Sequence, residues 1–241
     1  MGTRAYRTVL IGNGNVASML ARSIGEPFLL TSVGGRQRRC PIPTDADLYI
    51  IAVSDRAVGD VAAELADVSG LVVHTAGSVP MDVLPQKRRG VLYPLQTISR
   101  TRELSASHIP LYVETAQSDD MAMLQLLAQS MGTVAQPMDS ERRRYLHLAA
   151  VFCNNFVNRL YGMAGDILSE HGIPFTAMLP LIRETAEKVQ HLTPRQAQTG
   201  PAVRWDEAVM REQLALLRDG TQRQVYQLLS QSIHDDKLRP E

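Results

Sequence analysis

Cysteine is almost absent: Cys40 and Cys153 are the only two in 241 residues, and they stand far apart. They make no CxxC pair and no disulfide framework, which fits a reducing compartment. Net charge is absent as well, with 25 Lys and Arg against 25 Asp and Glu. Nothing in the overall balance draws the chain to nucleic acid or to an anionic membrane. Aromatic residues make up only 5% and do not interleave the basic triplets Lys87–Arg88–Arg89 and Arg142–Arg143–Arg144. Those triplets therefore read as solvated faces, and no nucleic-acid partner is expected. No apolar run approaches a membrane span, and a strand-like segment begins almost at the first residue, leaving no room for a signal peptide. A cytoplasmic protein is the expectation. His, Cys and carboxylates nowhere reach metal-ligand spacing, so no metal is expected.

What is present falls into two halves with different rhythms. Up to about residue 135, short β-branched runs alternate with helical stretches. The strands are expected at 7–11, 28–33, 48–53, 71–74, 91–93, 111–114 and 133–135, with helices such as 58–65 and 119–131 between them. Such alternation predicts a parallel sheet covered on both faces. From Ser140 the pattern is helical only: one long helix over 140–169, then 179–191, 206–217 and 221–232, with a frayed polar tail from His234. The fold class is an α/β dinucleotide-binding domain, residues 1–138, followed by an all-α domain, residues 139–241.

The chemistry starts at VLIGNGNVA, residues 9–17. A buried strand ends at Gly12, which permits the tight turn. Gly14 has no side chain, so a pyrophosphate can approach the backbone, and Ala17 lets the next helix pack closely. Asn13, Asn15 and Val16 complete the cradle, with the helix N-terminus facing the anion. An acid at the end of the second strand would bind a ribose 2′-hydroxyl, but the chain there reads LLTSVGGRQRR. Ser32 and Arg36 are suited instead to the 2′-phosphate of NADP. Ligands of such sheets bind at the carboxyl ends of the strands. That places Val53 and Ser54, His74 and Ala76, and Tyr93 and Gln96 along the cofactor and substrate.

On the long helix, His147, Val151, Asn154 and Asn158 share one stripe at 100° per residue, between apolar flanks that predict a buried helix. His147 is the stripe's titratable group and the candidate proton donor, with Asn154 beside it and Asn158 toward the substrate. Cys153 lies off the stripe and is expected to be a buried, inert thiol. Thr199 and Arg204, around a Gly200–Pro201 break, are candidates to grip an anionic substrate group.

The runs VLIGNGNVA, IAVSDRAV, HTAGS, GVLYPLQT, LAAVFCNNFVNRLY, LIRETAEK and AQTGPAVRWD occur in that order. Together they resemble the family with a Rossmann-like N-terminal domain and a helical C-terminal domain called DUF2520. Its members are labelled NADP oxidoreductases, or as similar to coenzyme F420-dependent ones. The resemblance covers nearly the whole chain. It implies a likeness to the 6-phosphogluconate dehydrogenase-like group, with a substrate between the domains and a homodimer formed through the helical domain. The long helix lacks the lysine those ketone reductases often carry, and Trp205 stands where a small residue, usually Gly, is expected. The leading expectation is an NADP-dependent oxidoreductase acting on a small carbonyl or imine substrate in the interdomain cleft. Hydride exchange between NADP and F420, or a non-catalytic NADP(H) sensor, are the alternatives.

Overall fold

The computed structural model describes residues 4–35, 40–102 and 104–239. Seven strands form one sheet: β1 (Tyr6–Ile11), β2 (Phe28–Val33), β3 (Leu48–Ile51), β4 (Leu71–His74), β5 (Arg89–Pro94), β6 (Leu111–Thr115) and β7 (Ala135–Pro137). Their order is β2-β1-β3-β4-β5-β6-β7. The side-chain period of two divides each central strand between two cores. Leu10, Ile50 and Val73 face one core, which α1 (Asn15–Ser23) and α3 (Met121–Ser130) cover through Leu20, Leu124 and Leu127. Val9, Ile11, Tyr49, Ile51 and Val72 face the other, closed by Val58, Val61 and Ala62 of α2 (Val58–Ala63). The near-continuous apolar strands of the sequence thus reflect a sheet buried on both faces.

The sheet is not wholly parallel, as the alternation had led us to expect: β6 runs antiparallel to β5. The connection 95–110 explains this. Among its described residues the only helical turn is Ala106–His108. Instead of crossing a face of the sheet, it folds over the turn after β1, where the Asn15 amide donates to the Ile98 carbonyl (2.8 Å) and Arg100 donates to the Asn13 carbonyl. The chain then re-enters beside the strand it left.

The helical run expected over 140–169 is present, as α4 (Ser140–Ala150), a π-helical segment Val151–Phe156 and α5 (Val157–Glu170). The wider π turn interrupts the 3.6-residue period on which the His147–Asn154–Asn158 stripe was drawn. Nor is the helix buried: Leu148, Phe152 and Phe156 are about half exposed, and Cys153 is exposed. After α5 come α6 (Leu179–His191), α7 (Pro194–Ala197), α8 (Pro201–Arg204), α9 (Glu207–Leu216) and α10 (Gly220–Leu238). The last helix continues to Leu238, where the polar sequence from His234 predicts fraying.

The chain divides into two compact units, Met1–Asn155 and Phe156–Glu241. The division lies beyond residue 138 because α4 is fastened to the sheet. Arg143, read as part of a solvated basic face, is completely buried. Its guanidinium donates to Glu114 on β6 (2.6 Å), to the Val79 carbonyl (2.7 Å) and to the Ser140 hydroxyl (3.0 Å). Ser140 donates to the same carboxylate (2.7 Å) and accepts from the Met81 N–H (3.0 Å). Arg88 also departs from the solvated-face reading, pairing with the buried Asp120 (2.6 Å). In the second unit large apolar side chains stay uncovered, with Leu181, Leu216, Leu228 and Leu238 at 62–78% exposure. No helix among the described residues is long and apolar enough to cross a membrane.

Arg143→Ala strands the Glu114 carboxylate in a largely buried position. Its unfolding free energy in urea is expected to fall by about 3–5 kcal/mol. A loss below about 1 kcal/mol would show that this network does not fasten α4.

Candidate active site

The strand order reverses at β1, which has β2 on one side and β3 on the other. A crevice opens at the carboxyl ends of strands at such a point. Here it is a cavity of about 880 Å³, within the size range of cofactor sites. The ends of the first five strands contribute to it. Asn13, Gly14, Asn15 and Val16 follow β1, Gly34 and Gly35 follow β2, and Val53, Ser54, Asp55 and Arg56 follow β3. Thr75, Ala76 and Gly77 follow β4, Tyr93 and Gln96 come from the end of β5, and His147 reaches in from α4.

The two glycines of the turn have different reasons to be there. Gly12 has φ +141°, and a Cβ would lie 2.1 Å from the Ala52 carbonyl oxygen. The fold itself demands a glycine at that crossing. Ala17 is buried beneath it, 3.5 Å from that Cβ, and so serves helix packing rather than lining the cavity. Gly14 has an ordinary φ of −76° and caps α1 with no side-chain bond. A Cβ there would meet nothing within 4 Å. The fold does not need this glycine; the open space beside it, at the positive end of α1, fits a phosphate lying against the backbone.

At the other end of the cavity stands a pair of side chains. The Tyr93 hydroxyl and His147 Nδ1 are 2.9 Å apart, with the rings edge to face at 73°. Gly77 makes room for them: a Cβ there would lie 2.5 Å from His147 Nδ1 and 2.9 Å from Tyr93 Cε2. Burial pushes the Tyr93 phenol above its usual pKa, against the opposing pull of the Arg143 guanidinium. Tyr93 therefore keeps its proton at neutral pH and can donate it to Nδ1, leaving His147 Nε2 as the ring atom available to a reactant.

His74 plays no such part. It is wholly buried beneath the cavity wall, and its Nδ1 accepts from the Ala76 N–H (3.2 Å). In the neutral ring the proton is then on Nε2. Burial, reinforced by Arg143, holds its pKa down to about 4.

The structure thus gathers Asn13, Gly14, Asn15, Val16, Val53, Ser54, Ala76, Tyr93, Gln96 and His147 around one cavity. Ser32 is exposed on the edge strand β2, outside that lining, and Arg36 lies outside the described residues. Asn154 is exposed in the π-helical segment. Asn158, Thr199 and Arg204 belong to the second unit. There Thr199 lines an apolar cavity of about 370 Å³ together with Leu160 and Tyr226, and Arg204 is exposed. Trp205 closes α8 in the left-handed region, φ 53°, which explains why a glycine is expected at that position. Its indole N–H donates to Glu207 (3.1 Å), and its ring lies 4.5 Å from that of His234. Gly77 and Arg143 escaped the sequence reading. The HTAGS run marked a loop at a strand end, but only the fold shows what touches Gly77.

Gly12→Ala should lower stability by at least about 2 kcal/mol, since the backbone must move and strain is added. Gly14→Ala should stay within about 0.5 kcal/mol of the parent. Equal losses in thermal unfolding would remove the distinction. For His74, the unfolded chain takes up a proton near pH 6.5 that the folded chain refuses until about pH 4. Stability is full above that window and falls as the pH drops through it, by about 3 kcal/mol in all. His74→Gln should flatten this slope; a variant with the parent's pH profile would refute the assignment.

A family model described as "Domain of unknown function (DUF2520)" matches residues 109–233. No curated protein matches the chain. Among solved structures, a Bacteroides fragilis protein described as a "putative NADP oxidoreductase" is 36% identical, with a TM-score of 0.84 over 96% of this chain and 98% of that one. Pyrroline carboxylate reductase from Plasmodium falciparum, solved with NADP bound, is 11% identical with a TM-score of 0.61, covering 98% of each chain. An imine reductase from Streptomyces aurantiacus is 12% identical with a TM-score of 0.63, over 96% of this chain and 95% of that one. The last two likenesses are of fold. The matched segment and the Bacteroides relative together show that this chain belongs to the DUF2520 family, with a Rossmann-like sheet followed by helices.

Proposed function

We propose that the protein is an NADP-dependent oxidoreductase acting on a small carbonyl or imine compound. The observation that carries this reading is the hydrogen-bonded Tyr93–His147 pair in the wall of the cavity that begins at the glycine turn. Gly14 and the first N–H groups of α1 would hold the pyrophosphate, with Asn13, Asn15 and Val16 around it. Val53, Ser54 and Ala76 would lie along the rest of the dinucleotide. Ser32 and Arg36 would read the 2′-phosphate, a role supported by the lack of any acid at the end of β2. The name of the Bacteroides relative points to the same cofactor.

Bound there, NADPH supplies the hydride for the substrate carbon. Starting as the imidazolium, with Nδ1–H donating to the Tyr93 oxygen, His147 would give its Nε2 proton to the oxygen or nitrogen of the reduced bond; the neutral ring left behind accepts the Tyr93 hydroxyl at Nδ1. Gln96, beside Tyr93 in the lining, would bind the substrate. Asn154, Asn158, Thr199 and Arg204 stay candidates for orienting it. The exposed leucines of the helical unit support a homodimer formed through that unit. A sedimentation mass equal to one chain at micromolar concentration would refute the dimer.

Titration by nicotinamide fluorescence is expected to show NADPH bound tighter than NADH by about tenfold or more, with Gly14→Ala weakening NADPH by a similar factor. His147→Ala should lower kcat by about a hundredfold or more and leave the NADPH Kd unchanged. An unchanged kcat would remove the proton-donor role. NADPH binding without oxidation by any carbonyl, imine or F420 would favour the sensor instead.

A further inference from the structure

We propose that a second cavity, on the other side of His147, binds the substrate, and that the substrate is a singly charged carbonyl or imine carboxylate with an apolar arm. The inference rests on the reading of His147 as the proton donor. This cavity, of about 610 Å³, lies between Ser78 and one face of α4 that carries Glu141, Arg144, Tyr145, His147 and Leu148. Among the described residues His147 is the one that lines both cavities. A dinucleotide in the first cavity obliges the second reactant to approach from outside it. The group that protonates that reactant must then be reachable from both sides.

The lining sets the chemistry. Arg144 is exposed and makes no hydrogen bond or ion pair with any other described residue. Its planar guanidinium matches a carboxylate with two parallel hydrogen bonds. Glu141, one helical turn earlier on the same face, is also without a counter-ion among the described residues. It disfavours a second negative charge on the ligand. Tyr145 and Leu148, 68% and 54% exposed, offer an uncovered apolar surface beside these charges. An apolar arm laid on them would remove that surface from water.

The test uses the full chain saturated with NADP+, so that no turnover occurs. Calorimetry and saturation-transfer NMR compare 2-oxo-4-phenylbutanoate with 4-phenylbutan-2-one, which replaces the carboxylate by a methyl group, and with the dianion 2-oxoglutarate. The monoanion is expected to bind about tenfold tighter than either. Arg144→Gln, at an exposed position, should abolish that preference while leaving the thermal midpoint and the NADP+ affinity unchanged. Equal affinity for acid and ketone, or a preference that survives in Arg144→Gln, overturns the proposal. Absence of binding by all three also overturns it. The same titrations are run without NADP+, because Arg144 lies outside the nucleotide cavity. Failure of NADP+ to bind therefore counts against the cofactor reading, and the Arg144 comparison still decides this one.

Discussion

The buried guanidinium of Arg143 is the fastening on which the site depends. A charge taken out of water is costly unless it is paired and hydrogen-bonded. Arg143 meets that condition through Glu114, the Val79 carbonyl and Ser140. These partners come from β6, from the segment after β4 and from α4 itself. One side chain thus ties three separate parts of the chain together. His147 lies one helical turn further along α4 and inherits its position from this tie. Without it, the edge-to-face contact with Tyr93 and the close fit over Gly77 would have no fixed frame.

Around that frame the protein handles two histidines in opposite ways. His74 is sealed in the protein interior, and the same Arg143 helps to keep it neutral. It serves the fold, with its ring accepting the Ala76 N–H. His147 is only partly buried and touches two cavities. Burial and a nearby cation keep one imidazole neutral; the other meets a tyrosine hydroxyl and borders open space. The glycines divide in the same manner. Gly12 answers to a backbone crossing, while Gly14 answers to space that the fold leaves open.

Much of this was legible in the residue order, for physical reasons. Apolar runs of four to six residues must be strands in a sheet covered on both faces, and a Gly-x-Gly between a strand and a helix has few other uses. Strand boundaries such as 28–33 and 71–74, and the helix at 179–191, coincide with the observed elements because packing and local preference agree there. The expectations that failed concern what an element meets. The helix around Phe152 is apolar on most sides, which points to burial, yet Phe152 and Leu148 are more than half exposed. Arg143 looked solvated because it sits between two other arginines, yet it alone faces Glu114.

Sequence by itself determined the alternating αβ order, the glycine cradle and the candidacy of Tyr93 and His147, since each follows from local period, turn chemistry or residue type. Tertiary structure alone decided that Tyr93 and His147 touch, that Gly77 must be small and that His74 stays neutral. It also decided that β6 turns back against β5. Those outcomes depend on distances between residues far apart in the chain, and a one-dimensional pattern carries side-chain period and chemistry but not the separation of atoms in space.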